Sequence, residues 1–313
     1  MPVIVSASRR TDIPAFYAEW FIHRLEEGYA LVPNPRNPGR ISKVPLSPKI
    51  VDCIVFWTKN PAPMLCCLEQ IAALGYAFYF QFTLTPYGPA VETGLPPKEN
   101  IEETFLELSR RIGKERVHWR YDPIFVDNHH TVAWHTEQFD RLCKKLRHAT
   151  GRCTLSFLDA YKSLGNAFQP MSSPEMHAIA KAFSAIAAEY GIPLFTCAEE
   201  IDLQGYGIAH GACIDQRLVE KAAGYRISAQ QAKSLRGACC CVESVDIGAY
   251  DTCANGCRYC YATAGSKGKM ALRCHAPHGP MLTGYPLGNE TITERVAASQ
   301  RRAQISFLEE VDL

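Results

Sequence analysis

The chain has 313 residues, of which 47% are hydrophobic, and its formal net charge is +1. This length suits one large domain or two small ones, and the dispersed lysines and arginines give no clear nucleic-acid signal. No apolar run approaches the roughly 20 residues of a membrane-spanning helix, and the first residues lack the pattern of a signal peptide. We therefore expect a cytoplasmic protein with no membrane partner.

Short apolar runs alternate with amphipathic helical segments through about residue 225. The predicted strands are Val3–Ser6, Cys53–Thr58, Phe78–Thr83, Val117–Tyr121, Thr154–Leu158 and Pro193–Cys197. They are brief and apolar, which is typical of parallel strands buried on both faces. Helix starts are indicated at Lys98 and at Ser173, where Pro174 follows in the first turn. Repeated strand–helix units predict an α/β fold, a partial (βα)6 TIM-like barrel, because a standard barrel needs eight units.

Two segments interrupt this alternation. Residues 29–50 contain five prolines and are predicted to form a loop or flap over one face of the barrel. From about residue 236 the periodicity fails and cysteines crowd together. We therefore predict a barrel over residues 1–235 and a Cys-rich segment over residues 236–313 that covers the barrel mouth. A late loop of that segment can then lie beside the first strand.

Polar side chains follow every predicted strand. In a parallel sheet, ligands bind beyond the carboxyl ends of the strands, so these residues are expected to line one mouth. They are Ser6 to Asp12, Thr58 to Asn60, Gln81 and Thr83, Arg120 to Asp122, Ser156 with Asp159, and Cys197 to Glu200.

Fourteen cysteines in a protein of this kind favour metal or redox chemistry over disulfides. Three of them form what we name the cysteine triple, Cys253, Cys257 and Cys260, spaced C-x3-C-x2-C. Three close thiolates can hold three irons of a 4Fe–4S cluster and leave the fourth iron open for a small ligand. The spacing favours this cluster, which requires that Cys274 does not bind the fourth iron.

The alternative is a structural zinc site that Cys274, His275 or His278 completes. Zinc sites commonly use two paired knuckles, and no second knuckle follows Cys257-x2-Cys260. The sequence thus favours iron and sulfide over zinc at the triple.

A second cysteine group is predicted at the same mouth and consists of Cys197, Cys213, Cys239 and Cys241. Four thiolates suit an auxiliary 4Fe–4S cluster or, as a less favoured choice, zinc. The other interpretation is that several of them are small buried hydrophobic residues. Cys240 is left out because alternate residues of an extended strand point the same way. The core or surface thiols are predicted to be Cys53, Cys66, Cys67, Cys143 and Cys153.

The cysteine triple resembles the signature of the radical S-adenosylmethionine (SAM) enzymes, in which the open iron chelates SAM. There the motif usually follows the first strand. Ser6–Pro14, Phe56–Pro61, Arg120–Pro123 and Cys239–Tyr250 are similar to a family of domains of unknown function that has a radical-SAM-like motif at its C-terminal end. Members often have His where this chain has Asn255. The resemblance implies SAM and a 4Fe–4S cluster, and it implies no particular substrate.

The resemblance also implies a mechanism. An electron from the reduced cluster cleaves a sulfonium C–S bond of SAM, and the resulting 5′-deoxyadenosyl radical removes hydrogen from the substrate. Such oxygen-sensitive chemistry needs an electron donor such as ferredoxin or flavodoxin. The expected SAM contacts are Gln81, Thr83, Arg120, Ser156 and Tyr259, with the guanidinium of Arg120 suited to the carboxylate. A polar or anionic substrate is expected to meet Arg9, Arg10 and Asp12.

Two rival functions stay open. One is an iron–sulfur redox or sensor protein without SAM chemistry, and the other is a zinc-stabilised barrel hydrolase. A metal-dependent hydrolase needs His and carboxylates at successive strand ends, whereas these ends carry mostly Ser, Thr, Gln, Arg and Cys. No metal-binding spacing is evident for His118, His129, His130 or His210.

Overall fold

The structure is a computed structural model, and it describes residues 3–159, 164, 167–232 and 238–302. Its strands are β1 (Ile4–Ala7), β2 (Tyr29–Asn34), β3 (Asn37–Pro45), β4 (Cys53–Thr58), β5 (Phe78–Thr83), β6 (Val117–Ile124), β7 (Cys153–Phe157), β8 (Leu194–Cys197), β9 (Ala209–Gly211), β10 (Val245–Asp246) and β11 (Thr291–Glu294). Its helices are α1 (Ile13–Phe16), α2 (Ala18–Glu27), α3 (Leu68–Ala73), α4 (Lys98–Ile112), α5 (Val132–Leu146), α6 (Ser173–Glu189), α7 (Gln216–Ala223) and α8 (Lys267–Arg273).

A parallel sheet of eight strands is the centre of this α/β fold, in the order β10-β1-β4-β5-β6-β7-β8-β9. All of the predicted strands are present, as β1 and β4 to β8. The prediction missed β9 and β10, which have three and two residues and are too short to show a periodicity. Within the described residues no ladder joins the edge strands β9 and β10. The sheet is therefore open there, and the predicted partial barrel is not confirmed.

Amphipathic helices cover one face of this sheet. The predicted apolar face of α4 is buried, with Ile101, Phe105 and Leu108 inaccessible to solvent. Helix α6 begins with a capping box, in which Ser172 and Glu175 bond each other's side chains and backbone. None of the described helices combines the length and the apolar character needed to cross a membrane.

A second apolar cluster lies on the other face of the main sheet. It joins Ile4 of β1, Val55 of β4 and Tyr79 of β5 to Cys197 of β8 and to Val242. Strands that are far apart in the sheet order thus share one core, so the sheet curves around this cluster.

The proline-rich residues 29–50 are not the loop predicted from the sequence. Strands β2 and β3 form an antiparallel hairpin, and β11 pairs in parallel with β3 to complete a three-stranded sheet. Pro33 lies in the edge strand β2, and Pro45 is the last residue of β3. Proline is tolerated at such positions because a missing N–H there breaks no internal ladder. The proline count therefore hid a pair of strands.

The Cys-rich segment packs onto both sheets. Its strand β10 pairs in parallel with β1, and its strand β11 joins the small sheet. The predicted boundary at residue 235 and the last residues, 303–313, lie outside the described residues.

Candidate cluster site at the strand ends

The cysteine triple follows β10, the edge strand next to β1. Asp246 of β10 accepts hydrogen bonds from the hydroxyls of Ser6 (3.0 Å) and Ser8 (2.6 Å) and from the backbone N–H of Arg9 (2.8 Å). These bonds join the end of β10 to the chain that leaves β1. The loop with the triple therefore starts at the carboxyl end of the sheet, where the sequence predicted a late loop beside the first strand.

The segment that follows β5 holds the loop of the triple by its backbone. The N–H of Gly94 donates to the carbonyl of Asn255 at 2.8 Å, and the N–H of Arg258 donates to the carbonyl of Val91 at 2.9 Å. Gly256 has a φ of +65° in this loop, a left-handed conformation that favours glycine. The loop is therefore a fixed structure and not a flexible tail.

The three thiols of the triple are free and line one open cleft of about 790 Å³. Burial raises the pKa of Cys257 to about 12, although the ammonium of Lys59 opposes this, and burial also raises the pKa of Cys253. Sulfur ligands that converge in this way suit iron–sulfur or zinc. The N–H of Ala262 points at the sulfur of Cys260 at 3.3 Å, a bond that helps a thiolate to hold its charge.

The residues that could complete a zinc site do not line this cleft. Cys274 is exposed, and a ring nitrogen of His275 lies 2.8 Å from the carbonyl of Leu282. His278 stacks on His23, with ring centroids 4.1 Å apart. The three residues that the sequence offered as a fourth zinc ligand are therefore not among those that line the cleft.

A buried carboxylate network stands behind the triple. Glu92 pairs with Cys257 across an isolated β-bridge, and its carboxylate binds the ammonium groups of Lys59 (2.8 Å) and Lys98 and the hydroxyl of Tyr259. Burial alone would raise the pKa of Glu92, but the two ammonium groups outweigh it and lower the pKa to about 2. The network fixes two positive charges beside the loop of the triple.

None of the predicted SAM contacts lines the cleft. Gln81 donates to the carbonyl of Cys213 at 2.7 Å, and Arg120 donates to the sulfur of Cys213 and to Asp122. Thr83 is the β-ladder partner of Arg120. These three residues therefore lie at the mouth of the sheet, near the second cysteine group.

The other two predicted SAM contacts bind buried carboxylates. Tyr259 is bound to Glu92, and Ser156 donates to Glu199 at 2.7 Å. Burial raises the pKa of Glu199 to about 7, and the nearby charge of Asp122 adds to this shift. Glu199 was predicted to be one of the polar residues at the strand ends, but no sequence signal indicated that it is buried with a raised pKa.

Two of the three predicted substrate contacts are cations over aromatic rings. The guanidinium of Arg9 lies 5.2 Å from the ring centre of Trp57, and that of Arg10 lies 5.3 Å from the ring centre of Tyr250. The Nη2 atom of Arg9 is buried and has no hydrogen-bond partner among the described residues. Arg9 thus has a hydrogen-bond donor available for a ligand or for another group at the mouth.

The third predicted substrate contact, Asp12, lies inside the protein. Its carboxylate caps α1 by accepting from the N–H of Ala15 at 3.0 Å, and it also accepts from the N–H of Lys59 at 2.8 Å and the amide of Asn255 at 3.0 Å. Burial raises its pKa, and these hydrogen bonds oppose that rise. The structure therefore gives Asp12 a place in holding the loop of the triple.

The structure brings the predicted second cysteine group together. The sulfurs of Cys197 and Cys213 are 2.8 Å apart, and Cys241 and Cys239 pack in the same cluster. The neighbouring thiols lower the pKa of Cys241. Cys240 is exposed, and its sulfur lies 3.9 Å from the carbonyl of Ala238. The group joins the end of β8, the loop after β9 and the chain before β10.

A further cluster of possible metal ligands was not predicted. Donor atoms of Glu19, His23 and His278 lie within 4.8 Å of one another, at the surface beside α2. The spacing of Glu19 and His23, four residues apart on a helix, is a signal that the sequence contained. His278 comes from a distant part of the chain, and only the fold shows that it is near.

One of the three comparisons with known proteins shows the family of this chain. The model of the family described as "Domain of unknown function (DUF1848)" matches residues 4–262. None of the curated proteins matches the chain. Among solved structures, a candidate alpha-L-fucosidase from Bacteroides thetaiotaomicron is 10% identical over 56% of this chain and 74% of its own, with a TM-score of 0.26, too low to support an argument. Because the family match extends over most of its length, the chain belongs to the DUF1848 family.

Proposed function

We propose that the chain is a radical SAM enzyme whose 4Fe–4S cluster is held by Cys253, Cys257 and Cys260. The observation that carries this proposal is the convergence of three free thiols on one cleft that Cys274, His275 and His278 do not line. When bound, such a cluster supplies the electron that cleaves the sulfonium of SAM, which its open iron chelates. The place of the triple, after a strand beside β1, also agrees with the resemblance to radical SAM enzymes.

The cleft has the volume of a typical small-molecule site. Tyr250 and Tyr261 line it with about half of their surface exposed, so the cleft contains aromatic surface of the kind that an adenine contacts. Lys269 also lines the cleft and offers a positive charge for the carboxylate. The strand-end contacts predicted from the sequence do not line this cleft and stay predictions.

The Glu92 network has a defined task in this proposal. Its lysines, Lys59 and Lys98, place positive charge beside Cys257, and positive charge near a cluster favours the state that has accepted an electron. The phenol of Tyr259 is buried against the same carboxylate and helps to exclude water from the back of the loop. These residues act on the charge and the surroundings of the site.

The experiment is anaerobic reconstitution with iron and sulfide. We expect about four irons and four sulfides per chain at the triple, and release of 5′-deoxyadenosine from SAM after reduction with dithionite. The variant Cys257→Ala should lose both, whereas Cys274→Ala, which removes a thiol outside the cleft, should keep both. Ferredoxin or flavodoxin can then be tested in place of dithionite as the electron donor.

The same experiment separates the rival functions. A stable cluster that neither binds nor cleaves SAM would support the iron–sulfur redox or sensor protein. Zinc at the triple in place of iron would support the zinc-stabilised barrel. Either result would refute the proposed activity.

A further inference from the structure

Two sulfurs of the second cysteine group, those of Cys197 and Cys213, lie closer together than an iron–sulfur cluster allows. A tetrahedral zinc ion with Zn–S bonds of about 2.3 Å sets its sulfurs about 3.8 Å apart. A 4Fe–4S cluster places a cube of irons and sulfides between its ligands and needs a wider ring of sulfurs. The sulfurs of Cys197 and Cys213 are 2.8 Å apart, and Cys241 and Cys239 pack in the same cluster. A single zinc ion therefore requires the sulfurs of Cys197 and Cys213 to separate by only about 1 Å.

We propose that the second cysteine group binds one zinc ion in a tetrahedral site, and that this ion joins the two edges of the main sheet. Binding replaces the thiol protons, which leave to solvent, and no change of oxidation state is involved. This proposal does not depend on the cluster at the triple.

Positively charged side chains beside the second cysteine group can offset the negative charge of a zinc site with four thiolates. Zinc with four thiolates carries a net charge of −2, which is costly to bury without nearby cations. Arg120 donates directly to the sulfur of Cys213. The guanidinium groups of Arg9 and Arg120 both lie over the ring of Trp57, at 5.2 Å and 5.1 Å from its centre, respectively. The buried Nη2 atom of Arg9, which has no partner among the described residues, gains acceptors when thiolates form nearby.

Backbone and side-chain contacts already prepare the site. The N–H of Ile214 points at the sulfur of Cys241 at 3.4 Å, a common way to support a metal-bound thiolate. Tyr79 and Gln81 both donate to the carbonyl of Cys213, at 2.8 Å and 2.7 Å, and so fix the loop after β9. Contacts from β5 thus orient Cys213, and the N–H of Ile214 orients the sulfur of Cys241.

The site lies where the sheet lacks a ladder. Cys197 ends β8, Cys213 follows β9, and Cys241 precedes β10. Beyond the sheet edges, the N–H of Val242 donates to the carbonyl of Ile214 at 2.9 Å, so the two edges approach each other there. An ion that binds ligands from both edges would hold the curved sheet together, as structural zinc sites do.

The test measures metal content in protein that lacks the triple. In the variant Cys253→Ala/Cys257→Ala/Cys260→Ala we expect about one zinc per chain by mass spectrometry and no iron or acid-labile sulfide. Adding Cys213→Ser should lower the zinc content at least tenfold. Adding Cys240→Ser, the exposed neighbour in the same Cys run, should leave it unchanged.

A second measurement does not require any change in the group. Zinc K-edge absorption of the variant Cys253→Ala/Cys257→Ala/Cys260→Ala should show sulfur ligands only, at about 2.3 Å. Iron at the group, zinc bound by nitrogen or oxygen, loss of zinc in Cys240→Ser, or no stoichiometric metal would each overturn the proposal. None of these results would decide the activity at the triple, which is read from 5′-deoxyadenosine release.

Discussion

The side-chain amide of Asn255 donates a 3.0 Å hydrogen bond to the carboxylate of Asp12, although 243 residues separate the two in the sequence. Both residues are buried. The bond joins the loop of the cysteine triple to the N-terminal cap of α1, directly after β1. It explains how a cysteine motif late in the chain is held beside the first strand.

This bond predicts how position 255 tolerates change. Asn255→Leu removes one of the three donors to the buried Asp12 carboxylate, so we expect a loss of about 1–3 kcal/mol in unfolding free energy and a lower iron content. Asn255→His keeps an N–H donor. We expect this variant to retain most of the iron. Equal iron contents in the two variants would contradict this account, and chemical denaturation with iron analysis provides the measurement.

The Glu92 network predicts a larger loss of unfolding free energy than the change at Asn255. Glu92→Gln leaves the ammonium groups of Lys59 and Lys98 partly buried without a counter-charge, and breaking such a pair costs about 3–5 kcal/mol. The double variant Glu92→Gln/Lys98→Met should recover part of this loss, because one of the unpaired charges is removed. The melting temperature and the iron content after reconstitution measure both effects.

A matched control for this prediction is Glu107→Gln. Glu107 also binds two cations, Arg110 and Arg111, but on the exposed surface of α4. Surface pairs of this kind contribute little, so the melting temperature should hardly change. If Glu92→Gln behaved like this control, the network would have no part in holding the loop.

Gly268 gives a prediction in which two physical effects have opposite signs. It lies in the first turn of α8, where Ala is favoured over Gly by up to about 1 kcal/mol. A Cβ at this position, however, would overlap the carbonyl oxygen of Cys253. We expect Gly268→Ala to displace the loop of the triple, to reduce iron binding and to destabilise the protein by about 1–3 kcal/mol.

Gly205→Ala is the control, because a Cβ at Gly205 meets no atom within 4 Å. Its stability should stay within about 0.5 kcal/mol of the wild type. If Gly268→Ala proved more stable than the wild type and kept its iron, helix propensity would be the larger effect and the close approach to Cys253 would not matter.

The sequence predicted the parts of the molecule that local patterns control. Strands β4 and β5 are continuous apolar runs, which parallel strands buried on both faces must be, and so they were recognised. Strand β10 has two residues, and it exists only because Val245 and Asp246 meet β1. No local pattern could show this pairing. The hairpin of β2 and β3 was missed because its prolines, at an edge and at strand ends, imitate a loop.

The candidate site shows the same division. The spacing of the cysteine triple is a local property and can be read from the sequence, whereas the second cysteine group comes from three separate parts of the chain and has no diagnostic spacing. The task of Asp12 depends on Asn255, and the buried position of Glu199 depends on Ser156, 43 residues away. Such contacts are set by the tertiary fold. Residue type alone therefore indicated polar groups at the mouth without indicating which of them are used to hold the protein together.

His135 gives a prediction about pH. Its ring lies in the core, with Nδ1 2.9 Å from the hydroxyl of Tyr121 and Nε2 2.8 Å from the carbonyl of Phe125. Burial lowers its pKa to about 4 from a usual value of 6.5. The unfolded chain therefore binds a proton at this position between pH 6.5 and 4 and the folded protein does not, so stability must fall as the pH is lowered through this range.

At pH 4, the unfavourable pKa of His135 has lowered the unfolding free energy by an amount on the order of 3 kcal/mol. His135→Gln cannot take up this proton, so we expect its unfolding free energy to depend less on pH between 6.5 and 4 than that of the wild type. The exposed His129→Gln should keep the pH dependence of the wild type. Urea denaturation at several pH values measures the three slopes.

Because Phe125 packs in the aromatic cluster that includes Tyr259, acidification should also loosen the wall behind the cysteine triple. Iron should then be lost at a higher pH from the wild type than from His135→Gln, and the reverse order would refute this link between the core and the cluster site.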